Sequence, residues 1–261
     1  MEKQEITGKI IKVGNSAGIL LPREWLNGEA KVTLVQKPLN PEKEIFEILN
    51  EEMPSIISLA LVGSYARKEE NQKSDVDILG ITTSLNKKIQ HGKYEITLIS
   101  EENLKKELEN NIIPLLPMLI EAKPLLNKKL IETYSSTKIN SKNLKWHIET
   151  TKSALGFSEK AIEIAEESKE NVSDNIIYSL ILRLREAYII DSIIDKKKFS
   201  NSGLKALIKS LSDSYSPYES YQRAKKEPSK LKKVDSTQSR KILKYLLSRI
   251  EAQEKWIEKR D

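Results

Sequence analysis

The sequence contains no cysteine and only two histidines, His91 and His147, among its 261 residues. Without cysteine the chain cannot form disulfides or thiolate metal sites, and with two histidines we do not expect a multi-histidine metal site within one chain. A bound metal would therefore use carboxylate ligands, which favour Mg²⁺ or Mn²⁺.

Long apolar segments are also missing. No apolar run reaches the roughly 20 residues that a membrane-spanning helix needs, and the N-terminal MEKQEITGKI lacks the apolar core of a signal peptide. We therefore expect a cytoplasmic protein with no membrane partner. Glycine and proline number nine each and charged residues make up 31% of the chain, a balance that favours folded, helix-rich domains over disorder.

Charge is distributed unevenly along the chain. Residues 1–40 carry six basic and four acidic side chains, residues 41–137 carry 12 and 16, and residues 138–261 carry 26 and 18. A basic flank beside an acidic centre suits a partner that bears phosphates. Lysine-rich helices that are simply soluble would give the same distribution.

The patterning divides the chain into three segments. Residues 1–38 contain short β-prone runs separated by glycine, residues 42–137 mix strand and helix patterns, and residues 138–261 are helical in pattern. We predict strands at 56–62, 76–82 and 93–100, a helix at 101–111, and helices at 141–169, 173–195, 201–213, 216–226 and 236–259. The expected class is a multidomain α+β protein whose last segment is an all-α helical bundle.

Residues 60–82, ALVGSYARKEENQKSDVDILGIT, join an apolar strand, a Gly-Ser pair and two aspartates on a second apolar strand. A glycine lets the backbone approach a phosphate closely, and the next serine offers a hydroxyl and an N–H. Asp75 and Asp77, two residues apart, point to the same face of a strand. Because two adjacent like charges are unfavourable unless a cation shares them, the pair predicts a divalent metal that bridges nucleotide phosphates.

This segment resembles the signature of the minimal nucleotidyltransferases of the DNA polymerase β superfamily, which is an apolar residue, Gly, Gly or Ser, about ten residues, then Asp-apolar-Asp or Glu. The resemblance implies a central α/β nucleotidyltransferase fold with a mixed sheet. It implies that Asp75 and Asp77 are catalytic and bind Mg²⁺ or Mn²⁺. It assigns nucleotide contacts to four further residues: Gly63, Ser64, Arg67 and Ser74. The implied reaction moves a nucleoside monophosphate from an NTP, with ATP expected, to an unknown acceptor.

The resembled family has a third carboxylate on the following strand, here within KYEITLIS. Aligned by the apolar pattern of this strand, the usual acid falls at Thr97. Glu95 lies two residues earlier on the same strand face, so its longer side chain is the candidate that helps to bind metal and deprotonates the acceptor. If Glu95 does not serve, the alternative is a DNA-binding regulator whose inactive nucleotide domain senses an NTP.

The segment GKIIKVGNSAGILLPREWL at 8–26 resembles the swapped-hairpin DNA-binding domain of the AbrB, MazE and SpoVT family. About 35 residues cannot bury an adequate core alone, and that family interleaves two chains in one barrel. The resemblance therefore implies a homodimer, with a short helix and a second β-pair ending at VTLVQ. It assigns DNA contacts to five residues: Lys9, Lys12, Asn15, Ser16 and Arg23. A module that only dimerises is the alternative.

The helices that follow a nucleotidyltransferase domain resemble substrate-binding bundles or HEPN partners. The HEPN ribonuclease motif is Arg, four to six residues, then His, and no arginine precedes His147 at that spacing, so we do not expect ribonuclease activity. Polar residues on the apolar helix 179–194 are either structural or face the nucleotide cleft: Arg183, Arg185 and Tyr188. A DNA-binding arm fused to an enzyme suits a toxin–antitoxin-like setting, and an RNA-binding protein led by the basic C-terminal half is a further alternative.

Overall fold

The computed structural model describes residues 5–35, 40–71, 74–226 and 233–259. The chain forms two compact units, Met1–Asn40 and Pro41–Asp261. Within the second unit one hydrophobic core runs from the sheet into the C-terminal helices, from Ala60 to Ile257. The division of this unit into domains at 42–137 and 138–261, and the 1–38 bounds of the arm, stay predictions.

The first unit is built around one antiparallel hairpin. Strands β1 (Ile10–Val13) and β2 (Ser16–Ile19) pair so that Ile10 lies opposite Ile19. The turn between them uses Gly14 at a φ of +56°, which is the left-handed conformation that a two-residue hairpin connection needs. A 3-10 helix, Arg23–Trp25, follows as the expected short helix.

The expected second β-pair of this unit is not observed. Residues 26–35 contain no strand, and the described residues of the unit do not close into a barrel. The physical reason is the lack of a core, because apolar side chains on the hairpin and beyond it stay exposed, including Ile10, Val13 and Val32. Gln36, at the end of the expected strand, lies outside the described residues.

The second unit contains a mixed five-stranded sheet after helix α1 (Pro41–Ile48). Its strands are β3 (Ile56–Val62), β4 (Val76–Thr82), β5 (Lys87–His91), β6 (Tyr94–Ser100) and β7 (Lys123–Leu126). They lie in the order β5-β6-β4-β3-β7, with β4 and β6 parallel and the other pairs antiparallel. The predicted mixed sheet is confirmed, and β3 and β4 are apolar along most of their length because both faces are covered.

Four helices connect or cover these strands: α2 (Gly63–Arg67), α3 (Glu101–Asn110), α4 (Leu115–Glu121) and α5 (Lys128–Ser135). The start of α3 follows from local chemistry, since the Ser100 hydroxyl accepts a hydrogen bond from the Asn103 N–H at 3.3 Å. Between β5 and β6, Gly92 has a φ of +57°, a left-handed conformation that glycine adopts readily in a tight turn.

The C-terminal half is helical, as predicted. It contains α6 (Ser141–Glu167), α7 (Asp174–Ile194), α8 (Asn201–Ser212), α9 (Ser216–Lys226) and α10 (Ser236–Glu258), with a small ladder between β8 (Val172–Ser173) and β9 (Lys233–Val234). The HEPN-like identity of this bundle is not confirmed. Among the described helices, none combines the length and apolarity required to cross a membrane.

A buried polar cluster joins three helices of the bundle. Gln253 on α10 is 1% exposed and donates hydrogen bonds to the Ala187 carbonyl at 3.0 Å and to Asp191 Oδ1 at 2.9 Å. Its Oε1 lies 3.2 Å from Nε2 of His147 on α6. Burial lowers the pKa of His147, so this histidine is neutral at pH 7 and contributes to packing.

We predict that Gln253→Leu destabilises the fold by about 1–3 kcal/mol, because it leaves buried hydrogen-bonding groups on α6 and α7 without a partner. Urea denaturation followed by circular dichroism measures the free energy of unfolding. Gln90→Leu is the control, since Gln90 is exposed on β5 and a surface change should stay within about 0.5 kcal/mol. Equal stability of the Gln253→Leu variant and the wild type would contradict the prediction.

Candidate active site

The site begins where β3 ends and α2 starts. Gly63 has a φ of +68°, and a Cβ built on it would collide with the carboxylate of Asp77 on the neighbouring strand. Val62 pairs with Asp77 across β3 and β4, which brings the backbone turn and this carboxylate together. Only glycine fits both the backbone conformation and the close approach.

The third carboxylate is set by the parallel register of β4 and β6. Asp77 pairs with Glu95 and Leu79 pairs with Thr97, so Glu95 lies directly beside Asp77 on the same sheet face. The register therefore brings Glu95, and not Thr97, next to Asp77, while the role of Glu95 as the third acid stays a prediction. An apolar pattern of period two cannot distinguish these positions, because both belong to one face.

Negative charge accumulates around Asp77. The pKa of Asp77 is raised from 3.8 to about 6, chiefly by burial and then by the charges of Glu95, Asp75 and Glu121, while Lys225 opposes the shift. A carboxyl group with so high a pKa is disfavoured as an anion until a cation reaches it. The site is therefore prepared for positive charge.

The remaining motif residues frame this carboxylate pair. Asp75 is exposed and lies directly before β4. The Ser74 hydroxyl accepts a hydrogen bond from the Asn71 N–H at 2.9 Å and so supports the loop that carries Asp75. Ser64 lies in α2, and its carbonyl accepts from the Glu69 N–H at 2.9 Å.

Arg67 is already engaged by two carboxylates. Its Nε donates to Glu69 at 2.8 Å, and its Nη1 donates to Glu121. The second oxygen of Glu121 accepts a hydrogen bond from the Gly63 N–H at 2.7 Å. No local sequence pattern indicated Glu121, which ends the apolar, proline-containing helix α4.

The helical bundle also contributes side chains to this region. The Asn201 N–H at the start of α8 donates to both oxygens of Glu69, at 3.1 and 3.2 Å. Arg185 on α7 helps to lower the pKa of Glu121 against the larger raising effect of burial. Arg183 instead donates to Glu186 at 2.9 Å, one turn away on the same helix. Of the bundle residues weighed from the sequence, Arg185 is the one whose charge reaches the site.

The carboxylates of this site fit a metal ion whose coordination is completed by a substrate. No group of three acidic or histidine side chains within the described residues is assembled to hold a metal ion by itself. Mg²⁺ in nucleotide sites commonly uses one or two carboxylates and completes its shell with phosphate oxygens and water. Asp75 and Asp77, with Glu95 beside them, supply that number of ligands.

The predicted DNA-binding residues lie on the first unit and are all exposed: Lys9, Lys12, Asn15, Ser16 and Arg23. Lys12 and Ser16 are on the hairpin strands and Asn15 is in the turn between them. Exposure is compatible with DNA contact but does not distinguish it from an ordinary soluble surface.

We predict that Asp77→Asn flattens the pH dependence of stability. Because the pKa of Asp77 is higher in the folded chain than its ordinary value of 3.8, the folded chain binds more protons, so this contribution to stability is present below about pH 4 and is lost as the pH rises through about 6. The variant should be more stable than the wild type at pH 7.

Urea denaturation at a series of pH values from about 4 to about 7 tests this expectation. The control is Glu102→Gln, which neutralises an exposed carboxylate on α3 and should preserve the wild-type slope. If the slopes of the Asp77→Asn variant and the wild type agreed, Asp77 would not carry the elevated pKa.

Comparison with known proteins agrees with this geometry. The family model for the nucleotidyltransferase domain matches residues 42–200, more than half of the chain. No curated protein matches. Among solved structures, a nucleotidyltransferase-like protein from Exiguobacterium sibiricum is similar, with 12% identity, a TM-score of 0.37 and coverage of 82% of this chain and 76% of that chain.

A spectinomycin adenyltransferase from Enterococcus faecialis, solved with ATP and spectinomycin, is similar with 14% identity, a TM-score of 0.37 and coverage of 80% of this chain and 97% of that chain. At these values neither structure carries an argument about this chain. The family model does, because it spans the Gly63 turn, all three site carboxylates and the start of the bundle. The chain belongs to the nucleotidyltransferase-domain family.

Proposed function

We propose that the protein is a metal-dependent nucleotidyltransferase that moves a nucleoside monophosphate from an NTP, with ATP as the expected donor, to an acceptor. The acceptor oxygen or nitrogen bonds to the α-phosphorus, the bond between the α- and β-phosphates breaks, and pyrophosphate leaves. The observation that carries this proposal is the pairing of Asp77 with Glu95, directly beside the Gly63 turn. Two carboxylates lie side by side next to the turn that would bind a triphosphate and its cation. A purely structural role would not favour such close like charges.

Each site residue has a proposed task. The backbone at Gly63 and Ser64 binds the triphosphate, and Arg67 adds a guanidinium for phosphate oxygens. Asp75 and Asp77 hold Mg²⁺ or Mn²⁺, which when bound would offset the charge that develops on the transferred phosphoryl group. Glu95 orients the acceptor hydroxyl or amine and accepts its proton.

The alternative of an inactive, nucleotide-sensing regulator depended on a missing third carboxylate. The position of Glu95 directly beside Asp77 supports a third carboxylate in the site and so favours the enzyme. The acceptor is not defined by these residues: a protein, an RNA or a small molecule each offers a suitable nucleophile.

We predict that the purified protein transfers label from an α-labelled NTP in the presence of Mg²⁺ or Mn²⁺, tested with each NTP and with cell extract as the acceptor source. Asp77→Asn keeps the side-chain shape but removes the charge, and should lower the transfer rate by about a hundredfold or more. Chromatography of the labelled product as protein, RNA or small molecule identifies the acceptor class.

The control for this assay is Asp195→Asn, an isosteric change at an exposed position after α7, which should preserve transfer. If label were transferred equally by the wild type and the Asp77→Asn variant, Asp77 would not be catalytic. If neither transferred label but the wild type bound NTP with metal, the nucleotide-sensing regulator would replace the enzyme.

We further propose that the N-terminal unit forms a homodimer and binds DNA. Its support is the exposed apolar surface: Ile10 is 52% exposed, Val13 55% and Leu34 50%, in a segment too short for a core of its own. A second copy supplies the missing partner surface. DNA contact would use the exposed basic residues Lys9, Lys12 and Arg23 and would weaken with salt. Such an arm on an enzyme remains compatible with a toxin–antitoxin-like setting.

We predict that Val13→Asp converts the full-length protein from dimer to monomer, because a charge on the apolar hairpin surface would have to be buried between the two chains. Sedimentation velocity at micromolar protein concentrations measures the mass. Val13→Leu, which keeps the position apolar, should remain dimeric. A monomeric wild type, or a dimeric Val13→Asp variant, would contradict assembly through this hairpin.

A further inference from the structure

Glu121 is held tightly at the proposed phosphate site. It ends α4, and its side chain is 8% exposed. Oε1 accepts the Gly63 N–H at 2.7 Å, and Oε2 accepts from Nη1 of Arg67. Both oxygens of one carboxylate therefore use the two donors that the proposed function assigns to the nucleotide.

The bound carboxylate shows which kind of group these two donors bind. The Gly63 N–H and the guanidinium of Arg67 hold an anionic group with two acceptor oxygens, which is also how a phosphate presents itself. The Gly63 N–H has one hydrogen to donate, so a phosphate oxygen and Glu121 Oε1 compete for it. A triphosphate cannot take this position while the carboxylate remains.

Charge adds to this competition. Glu121 contributes to the negative potential at Asp77, and a triphosphate brought beside both carboxylates would be repelled. Arg185 of the bundle acts electrostatically on Glu121. A second cation therefore lies close enough to attract the Glu121 carboxylate when it leaves Arg67. Displacement of Glu121 would free the donors and lower the repulsion together.

We propose that Glu121 occupies the phosphate-binding donors of Gly63 and Arg67 in the nucleotide-free protein and is displaced when the triphosphate binds. This inference rests on the proposed function, since it concerns the same nucleotide site. Glu121 is a positioning residue: it keeps Arg67 and the Gly63 turn in place without substrate, at a cost to nucleotide affinity.

Glu121→Gln tests the proposal. The amide keeps the shape, but as a neutral acceptor it holds the N–H and the guanidinium less strongly. We expect the dissociation constant for α,β-methylene-ATP with Mg²⁺, measured by titration calorimetry on the full chain, to fall by about tenfold. The methylene bridge prevents transfer, so binding alone is measured.

Two further variants make this result specific. Glu132→Gln, at an exposed position on α5, should leave the dissociation constant unchanged. Glu69→Gln weakens the other partner of Arg67 but leaves the Gly63 N–H occupied, so it should give a smaller gain than Glu121→Gln. Equal gains in nucleotide affinity from Glu69→Gln and Glu121→Gln would overturn the proposal, as would unchanged or weaker binding by Glu121→Gln.

A measurement on the wild type tests the displacement even if the Glu121→Gln variant fails to fold. With glutamate labelled at the side-chain carboxyl carbon, the Glu121 resonance should shift when α,β-methylene-ATP and Mg²⁺ are added, and an unmoved resonance at saturation would overturn the displacement. Absence of any nucleotide binding by the wild type would instead reject the proposed function and this inference with it.

Discussion

The parallel register between β4 and β6 is the constraint on which the rest of the site depends. It places Asp77 and Glu95 side by side, although burial and like charge make the ionised pair unfavourable. The strands resist moving apart because Val76, Ile78 and Ile96 between and beside these acids are buried in the sheet core. The hydrophobic sheet thus stabilises a charge arrangement that would not form on a flexible loop.

The Gly63 turn extends this constraint to the backbone. Because a side chain at residue 63 would collide with Asp77, the close approach of the turn and the position of this carboxylate are one requirement. The N–H of the same residue binds Glu121, and Glu121 binds Arg67. The donors proposed to bind phosphate and the carboxylates proposed to bind a cation are therefore adjacent, as a nucleotide carrying a metal ion requires.

The sequence specified the elements better than their pairing. The strands 56–62 and 76–82 were predictable to the residue, because apolar runs ended at Gly63 and began after Asp75. The five C-terminal helices were predictable within about two residues, since capping residues such as Ser200 and Asp235 mark where helices start. Strand register was not predictable, because Glu95 and Thr97 lie on one face and only the hydrogen bonds between strands determine that Glu95 lies beside Asp77.

Other misses have similar physical causes. Strand β7 contains Pro124, and proline argues against a strand unless the strand lies at a sheet edge, which the order β5-β6-β4-β3-β7 shows to be the case here. Glu121 was missed because its role comes from contacts with residues 54 and 58 positions away along the chain. No local pattern records such contacts. In the first unit, the β-prone run 31–35 stays without a strand because propensity alone supplies no partner surface.

The bundle is linked to the nucleotide turn by a short series of polar contacts. The backbone N–H of Asn201 binds Glu69, Glu69 binds Arg67, and Arg67 shares Glu121 with Gly63. These groups are largely shielded from water, so each contact is strong enough to constrain the next. If a triphosphate displaced Glu121 from Arg67, the guanidinium would keep its contact with Glu69. Glu69 would in turn keep its contact with the start of α8. In addition to the shared hydrophobic core, this series of contacts connects the start of α8 with the residue proposed to meet the triphosphate. The proposed nucleotide site and the bundle therefore have a common structural element.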